Sequence, residues 1–506
     1  MAQARIPLLR DPLLVVTVFV LIAFLLPAQL IVEPLGAVGA PATIVAVGAA
    51  VLYALGRLIP GALADGPQPM RTMLVVFACT ALISYAVGLA RVLSVPEASA
   101  SDRSLIGYAG FIGLGLLVAD GVRNRDHLDR LLKLVVVGAS ALAVFGIVQF
   151  IFEVNPEDYL SIPWLTMQEG EVNVERSIFF RVKGTALHPI EFGVVLAVVL
   201  PLALHYAMTA RDGSRPSRWR WLPVLLILVA TPMSVSRSSA LGVAIAGAIT
   251  LVAWPWRLRV RAMVAGGVLL VAMRAAFPGL LGTLRSMFLF AEQDPSIEGR
   301  TNDYPVVFEY VRENPWLGRG LGTFTPEQYF YLDNEYLNRL LTGGILALLV
   351  LVALFLVAMG LGRGVYHHAA DPSARALGQA LTAATAVSAF AWFTYDGLGF
   401  RLNAGIAFIL MGAAGALWRL EVGRFNWGEA VDRSRPIVLE PRSGGGPRGA
   451  RPGARTGAAT VSPPRGDTEE QTGRTERSRA VPVGSRSPGL DRRHLTPAGR
   501  GAGDVA

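Results

Sequence analysis

Cysteine is nearly absent. Cys79 alone occurs in 506 residues, inside an apolar run, so the chain can build neither a disulfide framework nor a thiolate metal site. Lysine is almost as scarce: Lys133 and Lys183 are the only two, and neither stands in the Gly-rich spacing before Ser or Thr that a P-loop requires. A P-loop ATPase is excluded. The 6 histidines (His127, His188, His205, His367, His368 and His494) form no H-E-x-x-H pair, and no D-x-D occurs to hold a metal and a nucleotide sugar. Charged residues make up only 16% of the chain, too few for the surface of a soluble protein of this length.

What is abundant is apolar. Hydrophobic residues are 53%, mean hydropathy is +0.47, and the apolar residues come in blocks of about 20, the length that crosses a hydrocarbon core of roughly 30 Å as a helix. The pattern predicts an all-α polytopic membrane bundle of about twelve spans, roughly 13–32, 37–56, 72–90, 104–119, 132–152, 187–208, 221–235, 238–254, 262–280, 344–361, 376–395 and 402–418. The block 221–254 is interrupted by Thr-Pro-Met-Ser-Val-Ser-Arg-Ser-Ser, read as a tight re-entry turn. The basic start MAQARIPLLRDP resembles a signal-peptide n-region, but the apolar run after it outlasts an h-region and reads as an uncleaved first span.

The net charge of +9 reads as topology and not as a nucleic-acid surface. Arginine clusters at Arg5 and Arg10, at Arg57 and Arg71, at Arg123 to Arg130, at Arg211 to Arg220, at Arg257 to Arg261, at Arg363 and Arg375, and from Arg419 onward. All of these fall on one side of a twelve-span chain, and the positive-inside rule makes that side the cytoplasm, with both termini on it. Residues 1–423 are then the membrane domain. Residues 424–506, rich in Arg, Gly, Pro, Ser and Thr, lack the apolar surface to order themselves and read as a disordered cytoplasmic tail.

Two connections on the other side are long, about 153–186 and about 281–343, and carry too many aromatic and apolar residues for disorder. Segment 301–313 reads as a short helix ended by Asn314-Pro315. Gly318, Gly320 and Gly322 lie outside any strand-to-helix context for a nucleotide loop and read as a tight turn returning the chain to the membrane. Cations left on this outer side are informative, because insertion depletes them there. Arg181 and Lys183 stand at the mouth of the sixth span, Arg237 in the re-entry turn and Arg300 early in the large loop; Arg91, Arg103 and Arg401 also fall outside. Guanidiniums at an interface suit phosphate oxygens, and several converging suit a diphosphate carried by a lipid. Snorkelling to headgroups is the plainer role for Arg237, and a solvated loop charge for Arg300 and Lys183.

Glu191 lies one turn inside the sixth span, three residues after His188. An ionisable residue there faces a cavity or a partner; the packing alternative is hydrogen bonding to the seventh and eighth spans. His188 reads equally as an interfacial histidine. Asp333-Asn334, a carboxylate beside an amide, stands ten residues before Gly344 and about three helical turns above the span that the Gly343-Gly344 pair opens; a plain helix N-cap is the alternative for Asp333.

In this order the residues resemble the O-antigen ligase and polysaccharide polymerase family of bacterial membrane glycosyltransferases. The resemblance rests on R-x-x-G before a Pro-containing span (Arg181, Gly184, His188, Pro189), an S-R turn (Ser236, Arg237), Arg300 opening the large loop, N-P-x-x-G-x-G (Asn314, Pro315, Gly318, Gly320), and D-N before a Gly-led span (Asp333, Asn334, Gly344). It implies transfer of undecaprenyl-diphosphate-linked glycan outside the cytoplasmic membrane to an acceptor glycan or lipid. No cofactor, metal, nucleotide sugar or nucleic acid is involved, and membrane lipids surround the site. The resemblance implies that Arg237 and Arg300 engage the diphosphate, joined by Arg181, with Asp333 and Asn334 at the catalytic centre and Lys183, His188 and Glu191 as further substrate contacts. Ligases of the family carry His where this chain has Asp333; that departure favours a polymerase of surface or exopolysaccharide, with export or chain-length proteins as partners. A ligase is the alternative within the family. A transporter or flippase of lipid-linked sugars is the alternative of another class; it is expected to carry internal repeats and its polar residues in interrupted spans near the midplane, whereas here no repeat occurs and the candidates cluster externally beneath a large loop.

Overall fold

The structure is a computed structural model describing residues 11–155, 161–168, 175–176, 179–209, 217–290, 295–326 and 328–423. The chain divides into two units, Met1–Ile437 and Val438–Ala506. All of the second, and with it the expected tail from residue 424, lies outside the described residues, as do Arg5 and Arg10 at the start. The first is overwhelmingly helical: α1 (Leu13–Leu25), α2 (Pro41–Arg57), α3 (Pro69–Leu89), α4 (Val95–Gly121), α5 (Arg125–Phe152), α6 (Pro189–Met208), α7 (Leu222–Ala230), α8 (Arg237–Val252), α9 (Trp256–Ala276), α10 (Leu280–Leu289), α11 (Pro295–Glu313), α12 (Glu335–His368), α13 (Pro372–Ala391) and α14 (Arg401–Glu421). Two short antiparallel pairs, Leu30–Ile31 with Thr166–Met167 and Glu175–Arg176 with Phe179–Phe180, are the strands among the described residues.

Each of the twelve apolar blocks falls on a helix. By length and composition, however, six helices qualify as membrane spans (α3, α4, α5, α6, α12 and α14), or up to eight if the bent pairs at residues 33–57 and 256–289 each count as one. The others fall short for local reasons: α7 stops after nine residues where Thr231-Pro232 tightens the chain into a 3-10 turn, and α1 and α8 are apolar but short. Exposed apolar stripes mark the lipid-facing sides. On α1, Leu14, Val18, Leu21 and Leu25 are exposed while Val16, Phe19, Val20 and Phe24 are buried, a pattern that would aggregate in water and is at home in hydrocarbon. The protein is an integral membrane protein.

The core sits around α14 and α6, whose apolar windows are 89% and 83% buried, against 33% for the peripheral α3. Small residues let backbones approach where packing alone must hold helices together. A Cβ added at Gly113 of α4 would stand 2.4 Å from Ala50 of α2, and one at Gly412 of α14 would stand 2.4 Å from the Gly115 carbonyl of α4.

The long connection 281–343 is mostly helical, not a loop. The helix expected at 301–313 ends where expected, at Glu313 before Asn314-Pro315, but begins earlier, at Pro295. The tenth span opens at the Gly343-Gly344 pair as the second segment of α12: the element starts earlier, at Glu335, and Gly344, at φ 67° and ψ −170°, kinks it into two. Backbone groups freed by that break are exchanged with the turn 315–320. Leu341 and Thr342 carbonyls accept from Arg319 N–H at 2.9 Å and Gly320 N–H at 2.8 Å, while Ile345 and Leu346 N–H donate to Pro315 and Trp316 carbonyls at 2.8 and 3.4 Å. A break in apolar surroundings is tolerated only with such an exchange. The glycines of N-P-x-x-G-x-G serve it, since Gly318 and Gly320 hold φ of 71° and 122° and a Cβ on Gly318 would lie 2.5 Å from the Gly343 nitrogen.

Gly344→Ala is expected to undo this docking, because its backbone angles suit glycine and the new Cβ would meet Trp316 backbone at 2.3 Å. The loss should reach at least about 2 kcal/mol, read as a lowered unfolding temperature of the detergent-purified protein. Gly360→Ala, where the added Cβ meets nothing within 4 Å, should leave it unchanged or slightly raised.

Candidate functional site

Four helices begin, and one ends, around a single connecting segment. The stretch 392–400 between α13 and α14 receives Glu335 N–H of α12 on the Trp392 carbonyl at 2.9 Å, and its Leu398 N–H donates to the Glu335 carboxylate at 3.1 Å. Thr394 donates its hydroxyl to Ser238 of α8 at 2.8 Å. Phe400 lies with its ring centroid 6.0 Å from that of His188, the cap of α6, and 5.3 Å from that of Tyr395. The N-termini of α6, α8, α12 and α14 therefore converge here, and the partial positive charge of a helix start favours anions.

The R-x-x-G segment enters this cluster held from two sides. Buried Gln149 of α5 accepts Lys183 and Gly184 N–H on its side-chain oxygen at 3.0 and 2.8 Å. On the other side buried Arg181 donates through Nε to the Ser234 carbonyl at 3.3 Å, in the 3-10 turn Thr231–Ser234 that precedes α8. Val235 follows in the left-handed region (φ 46°), Ser236 caps α8, and Arg237, its first residue, donates to the Met287 carbonyl of α10 at 3.2 Å. Arg181 is thus anchored to the turn that leads into Arg237, whose own side chain reaches to α10. The re-entry turn expected from the sequence is this element.

His188 and Glu191 have structural engagements. His188 accepts Ile190 N–H on Nδ1 at 3.1 Å, capping α6. Glu191 is fully buried and accepts Leu187 N–H at 2.8 Å and Asn403 N–H at 3.1 Å, so the partner helix is α14 and not the seventh or eighth span. Periodicity marked an ionisable residue in a span, but its partner lies over two hundred residues away in sequence. Asn334 caps α12, accepting Leu337 N–H at 3.2 Å and donating to the Tyr304 hydroxyl of α11 at 3.4 Å. The cap is therefore Asn334, not Asp333, which stands half-buried one residue before it. Arg300 belongs to α11 by its backbone, and its side chain lies outside the described residues.

A cavity of about 280 Å³ opens beside the first turns of α12, lined by Arg103, Tyr108, Phe324, Arg339, Asp396 and Arg401 among others. None of the eight expected residues lines it. It is joined to them through Glu335, next to Asn334, which is fully buried and pairs with Arg339 at 3.2 Å. Arg339 also stacks over Tyr108 at 4.7 Å and donates to its hydroxyl. The sequence signal for this pair was Glu and Arg four residues apart on one helix face, a spacing more often solvent-exposed. Arg319 adds a second clasp: it pairs with Glu97 at 3.1 Å and stacks on Tyr329 at 4.8 Å, tying the turn to the start of α4. Burial and the Glu97 carboxylate raise the pKa of the Tyr329 phenol, against the lowering effect of Arg319.

Residues 222–352 match a family model described as O-antigen ligase. That match supports membership of the O-antigen ligase family. The O-antigen ligase region runs from α7 into α12 and contains Arg237, Arg300, Asp333 and Asn334, while Arg181, Lys183, His188 and Glu191 lie before it and reach it through tertiary contacts. No curated protein matches the chain. The family supports a glycan-transfer role of ligase or polymerase type in a membrane setting, with lipid-linked glycan as the substrate class.

Arg339→Met is expected to destabilise the fold by about 3 kcal/mol, because it leaves the Glu335 carboxylate buried without its cation. The double variant Glu335→Gln/Arg339→Met should recover much of that loss in thermal unfolding of the purified protein.

Proposed function

We propose that this chain is a polymerase of a cell-surface or exopolysaccharide, embedded in the cytoplasmic membrane with both termini inside. It transfers glycan from an undecaprenyl-diphosphate carrier to an acceptor sugar hydroxyl on the outer side. The observation that carries the reading is the turn before α8, to which Arg181 is bonded and which Arg237 follows, among four converging helix N-termini, with Asp333-Asn334 just before one of them. Such a cluster is suited to a departing diphosphate, whose negative charge grows in the transition state.

The reaction is an inverting displacement. An acceptor hydroxyl attacks the anomeric carbon, its new C–O bond forms as the bond to the lipid diphosphate breaks, and the diphosphate leaves with the bonding electrons. Arg181 and Arg237, with Arg300 from α11, stabilise the leaving group. Asp333 orients the acceptor hydroxyl and takes its proton as the new bond forms. Asn334, His188 and Glu191 hold helix ends in register around the site; Lys183 stands on the strand-like segment beside Arg181. The residues present require no metal or cofactor for this chemistry. Polysaccharide export or chain-length proteins are the expected partners.

Asp333→Asn should abolish elongation of lipid-linked glycan in isolated membranes at unchanged protein level; undiminished activity would remove Asp333 from the mechanism. Arg237→Ala should lower turnover by about a hundredfold or more. Deletion of the protein separates the readings by glycan size. Loss of long chains with single repeats still attached marks a polymerase, loss of all attachment a ligase, and loss of lipid-linked sugar movement with unchanged chain length a transporter.

A further inference from the structure

The cavity of about 280 Å³ beside the first turns of α12 is lined by none of the residues assigned to the diphosphate or to the acceptor proton. A larger hollow, of about 470 Å³, lies at the far ends of α6, α8 and α12 and shares no lining residue with it. The smaller one is built from α4, α12, the stretch 392–400 and the first residue of α14, with Phe324 and Thr325 added from the outer connection. Its volume is near the low end of the roughly 300 to 1,000 Å³ of small-ligand sites, room for a short saccharide and not for a polymer.

One side chain in this wall is unspent. Asn338 is half-buried and lines the cavity; its backbone N–H and carbonyl are engaged with Asn334 and Thr342, but its side-chain amide makes no hydrogen bond among the described residues. It offers a donor and an acceptor together. Asn338 follows Asn334 by one helical turn, about 6 Å, so the cavity opens close to the Asp333-Asn334 pair. Asp396, also half-buried, brings acceptor oxygens to the wall; it takes Gly399 N–H at 3.3 Å and is hydrogen-bonded to Glu335. Aromatic surface comes from Phe111 and from Phe324, the latter stacked on Tyr329 with centroids 4.5 Å apart.

The arginines of the wall are largely committed. Arg339 is paired with Glu335, and Arg401 donates from both terminal nitrogens to the carbonyls of Ala28 and Ala37, at 2.9 Å each. Arg103 is exposed and donates to Ser99 at 2.5 Å. A phosphate site would present uncommitted guanidiniums and no carboxylate, the reverse of this arrangement. Donors and acceptors mixed around an aromatic surface suit a sugar, whose hydroxyls both give and take hydrogen bonds and whose C–H face packs on a ring.

We propose that this cavity is the acceptor subsite, holding one sugar residue of the acceptor glycan while a neighbouring residue offers its hydroxyl to Asp333. Asn338 and Asp396 take the sugar's hydroxyls, and Phe324 takes its C–H face. The assignment rests on the glycan-transfer reading given above.

The test measures binding without turnover. The full chain, purified in neutral detergent, is dialysed to equilibrium against radiolabelled repeat oligosaccharide, released by mild acid from the lipid-linked glycan of the producing cells and so free of lipid and diphosphate. The wild type should bind it. Asn338→Ala should weaken binding about tenfold, Asp396→Asn should weaken it in the same direction, and Arg257→Ala, an exposed residue at the start of α9 outside the cavity, should leave it unchanged. No binding by the wild type, or equal binding by Asn338→Ala and Asp396→Asn, overturns the site. Displacement of the sugar by millimolar inorganic diphosphate marks an anion site and also overturns it. The two readings fail separately: transfer in isolated membranes with no oligosaccharide binding removes the subsite alone, whereas cavity-dependent binding with no transfer removes the polymerase and leaves a sugar site.

Discussion

Backbone polar groups inside a bilayer must find partners within the protein, and the break in α12 at Gly344 shows what that requirement builds. Interrupting the helix frees carbonyls at 341 and 342 and N–H groups at 345 and 346; all four are taken up by residues 315–320. The exchange docks the outer connection onto the membrane helices. It also sets the nine-residue segment Glu335–Gly343 at its own angle, about 13 Å long at a helical rise, with Asp333-Asn334 at its far end. Without the break, the carboxylate-amide pair would ride on one straight helix, and Glu335 beside it would have no reason to meet Trp392 and Leu398.

Buried charge then ties that segment to the bundle. Glu335 is enclosed with Arg339 and with the N–H of Leu398, in the stretch on which α6, α8 and α14 also converge. An ion pair of this kind adds little net stability against apolar packing, but it penalises every arrangement that separates the two charges. The same logic explains Glu191, whose two backbone donors come from its own helix entry and from α14. Carboxylates at helix starts here act as staples between N-termini.

Much of this was legible in order and little of it in contact. The twelve apolar blocks all proved helical because hydropathy over such lengths is a local property that lipid reads directly. The Thr-Pro-Met-Ser-Val-Ser-Arg turn and the helix end before Asn314-Pro315 were legible for a similar reason, proline and capping chemistry acting within a few residues. Glu335 and Arg339 stood in plain view two and six residues after Asp333, yet their burial depends on Tyr108 and Leu398, which no local pattern connects to them.

Composition, hydropathy and turn chemistry by themselves determined that this is a helical membrane protein, where its helices lie, and that Arg181, Arg237, Arg300 and Asp333-Asn334 are its unusual polar residues. Only the tertiary structure decided that Arg181 is bonded to the turn before Arg237, that Asn334 rather than Asp333 caps α12, that Glu191 reaches α14, and that a cavity lies at each end of the bundle. The division follows from range. Transfer into lipid and capping are settled within one or two helical turns of chain, whereas the pairing of buried charges is settled by residues brought together across hundreds of positions, and it is that pairing which defines a site.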